Sequence, residues 1–165
     1  MPRAAWLTGL VVAALCAAGC GDVDRETASY GASVFPSGEP ASVDDLRGDA
    51  VLLAGWATWC LPCERELPEL DAFAAGADGI RVVAVNVDTG AVDVATIAAM
   101  LDRLGISLPT WRDPDAELLA AFDGSAMPFA VLLDRNGEVV RTWNGAIDVD
   151  AAAFRDAVAT ASLTP

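Results

Sequence analysis

An apolar run that ends on a pair of cysteines constrains this chain more than any other feature. Val51-Leu52-Leu53-Ala54-Gly55-Trp56 carries no charged side chain and has the length of one strand buried on both faces. Ala57-Thr58-Trp59-Cys60-Leu61-Pro62-Cys63 follows at once. After it, Leu67, Leu70 and Phe73 recur at helical spacing and give a single apolar face. Pro62 suits the first turn of a helix starting near Cys60, where its missing N–H leaves no bond unmade. Pro68 lies inside the helical pattern and is expected to kink it. The chain must therefore adopt a fold in which a central strand delivers a C-x-x-C pair to the N-terminus of a helix.

The remaining segments extend that plan. Phe35 to Leu46 contains Pro36, Gly38 and Pro40 and reads as a short strand or hairpin followed by a turn. Ile80 to Asp88 is a second buried strand, and Val92 to Leu104 is a helix with Ile97, Met100, Leu101 and Leu104 on one face, stopped by Gly105. A short strand is expected over Leu108 to Arg112 and a short helix over Asp115 to Phe122. Phe129 to Asp134 and Glu138 to Trp143 form a hairpin turning at Arg135-Asn136-Gly137, where Asn-Gly supplies positive φ. Asp150 to Ser162 closes as an Ala-rich helix. This alternation predicts an α/β sandwich around a mixed sheet.

Four cysteines occur at 16, 20, 60 and 63, and histidine is absent. Without imidazole no Ser–His or Cys–His pair can be built, and no zinc site can be completed around Cys60 and Cys63. No metal is expected. A two-residue gap closes too small a loop to staple a fold, so the C-x-x-C pair reads as redox chemistry. At a helix N-terminus, free backbone N–H groups and the dipole stabilise a thiolate. Cys60, nearer the helix end, is expected to be the exposed nucleophile and Cys63 the buried resolving thiol. Glu64 and Glu66 lie close and would raise the thiol pKa values, with Arg65 an offset. No cofactor beyond the Cys60–Cys63 disulfide is expected. With 24 acidic residues against 10 Arg and no Lys, a net charge of −14 argues against nucleic acid as a partner.

The N-terminus reads as an export segment. Arg3 precedes an apolar run from Ala4 to Ala18, the length of a signal-peptide core and short of a membrane span. Ala17-Ala18-Gly19-Cys20 is similar to a bacterial lipoprotein cleavage box, which implies lipidation of Cys20. Residues 1–20 are then a signal peptide, 21–33 a flexible tether, and 34–165 the folded domain.

The residues from Trp56 to Cys63, with Pro68 eight positions after Cys60, resemble the active-site segment of thioredoxin-like proteins. The chain is more similar still to the TlpA/ResA-like group of membrane-attached bacterial thiol-disulfide oxidoreductases. That resemblance rests on Ser42-Val43-Asp44-Asp45-Leu46-Arg47-Gly48, on Glu66-Leu67-Pro68 after the second Cys, on the Val83–Asp88 strand with a helical insert after it, and on Pro128 ahead of a strand ending Asp134-Arg135-Asn136-Gly137. It covers Val34 to Leu163. It implies a three-layer α/β/α thioredoxin-like sandwich, with a short N-terminal strand or hairpin extension and a helical insert after the second core strand.

The resemblance also implies roles. Met127-Pro128 corresponds to the cis-proline loop facing the site, Glu66 to an acidic position that tunes protonation, and Trp59 to an apolar docking face. Two positions depart from the pattern. The buried acid of thioredoxins falls at Ala54, and the residue after the cis-proline is Phe129. The function implied is an extracytoplasmic, membrane-attached disulfide reductase acting on exported proteins, with electrons from a membrane donor protein; apocytochrome c is a conceivable target. Other classes are a thioredoxin-like binding module or Cu(I) chaperone, and a thiol peroxidase, for which no lone peroxidatic Cys is evident.

Overall fold

The computed structural model describes residues 31–163. Strand β1 (Ser33–Val34) leads through a 3-10 turn at Val43–Leu46 to β2 (Ala50–Trp56), α1 (Leu61–Gly76) and β3 (Ile80–Asn86). Then come α2 (Val94–Leu104), β4 (Thr110–Arg112), α3 (Glu117–Ala120), β5 (Phe129–Leu133), β6 (Val139–Asn144) and α4 (Ala152–Leu163). The six strands form one sheet in the order β1-β4-β3-β2-β5-β6. β2 pairs in parallel with β3, and β3 with β4, while the other pairings are antiparallel. This is the expected three-layer thioredoxin-like fold with its N-terminal extension and helical insert.

All seven residues of β2 are buried, which requires cover on both faces of the sheet. Leu52 and Leu53 are wholly enclosed, and burying each contributes roughly 1.5–3 kcal/mol relative to exposure. Phe154 of α4 packs edge-on against Phe73 of α1, with ring centroids 5.1 Å apart, and lies 5.8 Å from Trp143 of β6. One aromatic side chain thereby ties α4 to a helix and a strand.

Local chemistry sets the element ends. Asp93 caps α2 by accepting from the Thr96 N–H, and Gly105, at φ 69°, closes it in the left-handed conformation. The β5–β6 turn differs from a two-residue Asn-Gly hairpin. Gly137 has φ 82° but Asn136 does not share positive φ. The Asp134 carboxylate accepts from the Asn136 and Glu138 N–H groups, and the register shifts between Leu132 and Leu133. That side chain does the work assigned to a primed turn, and the extra residue enters as a bulge. Ahead of Val34, Ala32 is buried and Ser33 pairs with Arg112. The peptide bonds Phe35–Pro36 and Met127–Pro128 are both cis.

Strand direction gives the domain two poles. β2, β3 and β4 all end on one side, at Trp56, Asn86 and Arg112, where β5 starts and β6 finishes. Cys60 and the N-terminus of α1 follow from that pole. The opposite pole holds Ala50, Ile80 and the β5–β6 turn.

Candidate active site

Cys60 and Cys63 form a disulfide with their Cα atoms 5.3 Å apart. Cys60 is the N-cap of α1, in extended backbone, and its sulfur accepts from the Cys63 N–H at 3.3 Å. Leu61 and Pro62 open the helix, as Pro62 was expected to, and Pro68 lies within it. The first four N–H groups of a helix lack intrahelical partners, so the sulfur sits where anionic character is stabilised. Cys60 is not exposed as the sequence suggested. Only 3% of its surface is open, against none for Cys63, because the extended N-cap tucks its side chain into the apolar core. The order of accessibility still favours Cys60, but an attacking group must come through a narrow opening.

The loop ahead of Cys60 is held by a carboxylate that sequence reasoning left unassigned. Asp88, fully buried just beyond β3, accepts from the Thr58 N–H and hydroxyl, both at 2.9 Å, and from the Asn86 side-chain amide at 2.8 Å. The Val87 N–H donates to the Trp56 carbonyl. Arg112 reaches over from β4 and donates to the carbonyls of Asp88, Thr89 and Val92. The signal in the sequence was a polar Asn-x-Asp ending an otherwise apolar strand.

Glu66 is buried on α1, one turn beyond Cys63, and its carboxylate accepts from the Ile147 N–H. Burial pushes its pKa up from 4.5 to about 7, against the lowering effect of that hydrogen bond and with a further push from Glu69. A solvated helical Glu is thereby excluded. Glu64 pairs with Arg103 of α2, in the helical insert, at 3.1 Å.

Across from the disulfide lies an open cleft of about 480 Å³. Trp59, Val87 and Ala116 line it with the segment from Gly124 to Met127. Trp59 is 67% exposed and Leu61 68%, so two large apolar side chains flank a nearly sealed disulfide. Met127 lines the cleft and its peptide bond to Pro128 is cis, while Phe129 is buried in β5. At Gly124 the cleft wall is limited by backbone, since a Cβ there would stand 2.8 Å from the Leu119 carbonyl oxygen; behind it, a Cβ at Gly55 would stand 2.5 Å from the Leu119 side-chain Cδ1. Asp113, buried beneath α3, accepts from the Leu119 N–H with one oxygen. Burial raises its pKa, and the hydrogen bonds from the first turn of α3 oppose the rise. Neither glycine nor Asp113 announces itself in sequence, since each is defined by a contact with α3.

Among the described residues no cluster of His, Cys, Asp and Glu could hold a metal ion, and no helix is long and apolar enough to cross a membrane. Cys20 and the export segment lie outside the described residues.

Comparison with known proteins fits this geometry. The Redoxin family profile matches residues 32–159. Thiol-disulfide oxidoreductase ResA of Geobacillus kaustophilus is 34% identical over 110 residues, 66% of this chain and 62% of that protein. The chain thus spans under two thirds of the curated relative it matches. A candidate thiol:disulfide interchange protein DsbE from Chlorobium tepidum superposes with a TM-score of 0.69 at 28% identity, covering 79% of this chain and 92% of that one. The exposed lipoprotein thioredoxin of Streptococcus pneumoniae superposes with a TM-score of 0.60 at 26% identity, covering 73% and 92%.

Proposed function

The chain belongs to the Redoxin family, and on that premise we propose that it is an extracytoplasmic thiol-disulfide oxidoreductase that reduces disulfides of exported proteins. One observation carries the reading: a Cys60–Cys63 disulfide caps the N-terminus of α1 beside an apolar cleft lined by Trp59 and by Met127, the residue before cis Pro128. In the reduced protein the Cys60 thiolate attacks a substrate disulfide. The substrate S–S bond breaks, a mixed disulfide forms on Cys60, and the first substrate sulfur leaves as a thiolate that takes a proton. Cys63 then loses its proton and attacks Cys60, which restores the intramolecular disulfide and releases the second substrate thiol. Two electrons pass to the substrate, and a donor dithiol returns them.

In this reading Glu66, buried one turn beyond Cys63 on α1 and with its pKa raised to about 7 by burial, takes the Cys63 proton. The cleft holds an extended substrate segment against the Met127 backbone by strand addition, with Trp59 covering it. Apocytochrome c is the substrate the family resemblance implies. Export and attachment rest on residues 4–18 and on Cys20 as a lipidation site, and the pneumococcal relative is itself a lipoprotein by name.

A titration in glutathione and dithiothreitol buffers, with thiol trapping read by mass, tests the reading. The expected result is one two-electron transition confined to Cys60 and Cys63, below about −200 mV. A value near −120 mV would reverse the direction to oxidation. Two free thiols at every potential would sink the redox function and leave a binding module.

A further inference from the structure

Cys60 reaches its place at the head of α1 through a four-residue turn. The Cys60 N–H donates to the Ala57 carbonyl at 3.0 Å, which puts Thr58 and Trp59 at the centre of that turn. The turn starts at the end of β2, where the Trp56 carbonyl accepts from the Val87 N–H at 2.9 Å. It ends at Cys60, whose carbonyl and sulfur face the Cys63 N–H at 3.0 and 3.3 Å. Between these ends both donors of Thr58, the N–H and the hydroxyl, go to one group. That group is the Asp88 carboxylate, at 2.9 Å from each.

Asp88 is itself fixed. The Asn86 amide donates to the same carboxylate at 2.8 Å, and the Asn86 side-chain oxygen accepts from the Asp88 N–H at 3.2 Å. Arg112 of β4 donates to the Asp88 carbonyl at 3.2 Å. Asn86 and Asp88 are fully buried, directly after the apolar residues Val82 to Val85 of β3. Two polar side chains in that setting cost stability unless their bonds are made, and the bonds they make converge on Thr58. The path from Arg112 through Asp88 to Thr58 stops two residues short of Cys60.

We propose that Asp88 is a positioning residue for thiol–disulfide exchange: by clamping Thr58 it fixes the turn that seats Cys60 as the N-cap of α1, and that seat sets how much of the reduced Cys60 is thiolate. The role rests on the proposed exchange activity, and Asp88 acts through Thr58 rather than on the sulfur. A sulfur at the N-cap faces the free N–H groups of the first turn and the positive end of the dipole, so its anion is favoured. The effect fades within one turn of the helix. A turn free to swing carries the sulfur out of that range and leaves a less ionised, slower thiol.

Geometry and charge are separable here, because Asn can stand in for Asp88. Its oxygen, in place of Oδ2, accepts from the Thr58 N–H and the Asn86 amide. Its N–H₂, in place of Oδ1, donates to the Thr58 hydroxyl, which then accepts. Asp88→Asn therefore removes the charge and keeps the clamp, whereas Asp88→Ala removes both.

Alkylation of the reduced full chain by iodoacetamide, read at Cys60 by peptide mass, provides the test. It is run on the acid side of the thiol's titration, where the rate follows the thiolate fraction. Asp88→Ala should react at least about five-fold more slowly than Asp88→Asn, the loss of roughly one capping interaction between two variants of equal charge. Reduction of oxidised glutathione should follow the same order. If Asp88→Ala does not fold, the Thr58 pair carries the test. Thr58→Val drops only the hydroxyl bond and should react about two-fold more slowly than Thr58→Ser, which keeps both donors. Equal rates within the Asp88 pair, or within the Thr58 pair where Asp88→Ala does not fold, would overturn the clamp whatever the melting temperatures show. A role in stability alone leaves the thiol of the folded protein unchanged. A parent that passes no electrons to oxidised glutathione overturns the exchange reading, and the positioning role falls with it. A parent that does pass them, with matched rates in the variant pair, overturns the positioning role alone.

Discussion

The two poles of the sheet differ in how much polar surface they bury and where they leave large apolar side chains exposed. At the far pole the ion pairs are outside, and the one buried carboxylate described there, Asp134, accepts from the Asn136 and Glu138 N–H groups. Arg81 pairs with Asp49 with both side chains about half exposed, and Arg47 pairs with Asp44 and donates to the Asn136 carbonyl. Gly48 and Arg135 exchange hydrogen bonds that close the β5–β6 turn onto the chain before β2. At the active-site pole Glu66, Asp88 and Asp113 are buried, while Trp59 and Leu61 face solvent. Burying carboxylates costs stability unless their hydrogen bonds are complete, and exposing large apolar surface forgoes burial energy. The far pole buries one carboxylate, with two N–H partners, and exposes Leu163 at the end of α4; the active-site pole buries three carboxylates and exposes Trp59 and Leu61 on either side of Cys60, so the larger departure lies around the disulfide.

If the buried acids carry the difference between the poles, removing the best-bonded one has the largest effect. Asp88→Ala strands the Thr58 N–H and hydroxyl and the Asn86 amide in a closed site. Unsatisfied buried groups cost about 1–3 kcal/mol each before relaxation, and water entering the vacated space recovers part of that. A net loss of about 3 kcal/mol is expected, measured by urea unfolding. Asp88→Asn, which keeps an acceptor, should lose less. A loss under about 1 kcal/mol for Asp88→Ala would show that the Thr58 loop does not depend on this carboxylate.

Glu66 sharpens the comparison through pH. Its pKa in the folded protein is raised to about 7 from 4.5. Below 4.5 the carboxyl is protonated whether the chain is folded or not, and it contributes no pH dependence. Between 4.5 and about 7 the folded state alone keeps the proton, so stability falls as pH rises through this window. The full penalty stands above 7, on the order of 3 kcal/mol at about 1.4 kcal/mol per pKa unit. Glu66→Gln keeps an acceptor for the Ile147 N–H and removes the charge. Allowing for a buried amide N–H₂, it should be about 2 kcal/mol more stable than the parent at pH 8 and no more stable at pH 4, read by thermal melts across that range. A pH-independent difference would mean that Glu66 ionises without hindrance.

What was legible in the sequence follows the range of the interactions involved. Val51 to Cys63 could be read because strand, cap and C-x-x-C are contiguous, and Cys60 does cap the helix. Pro128 could be read because a proline ahead of an apolar strand resembles one family's loop. Cys60's burial could not, since it depends on how the core closes over an N-cap. Asp88 was counted merely as the end of a strand, because its partner Thr58 lies 30 residues away. The pairing of Glu64 with Arg103 spans 39 residues, beyond what local spacing can indicate. Gly55 and Gly124 owe their roles to the side chain and carbonyl of Leu119 on a four-residue helix whose placement no local pattern fixes.

The smallest effects on stability separate the poles most cleanly by function. Arg81→Ala at the far pole breaks an exposed ion pair, which is worth about 0–1 kcal/mol. Trp59→Ser at the active-site pole removes a ring already 67% exposed, and its cost to stability should also stay below about 1 kcal/mol. Exchange kinetics are expected to diverge. Arg81→Ala should leave turnover of both dithiothreitol and a disulfide-bonded protein unchanged. Trp59→Ser should slow the protein substrate about ten-fold, the loss of roughly 1.4 kcal/mol of apolar contact in the cleft. It should leave dithiothreitol, which is too small to span the cleft, close to the parent rate. An equal slowing of both reagents would place the role of Trp59 in shielding the sulfurs, and the exposed apolar surface would then no longer distinguish this pole as a docking face.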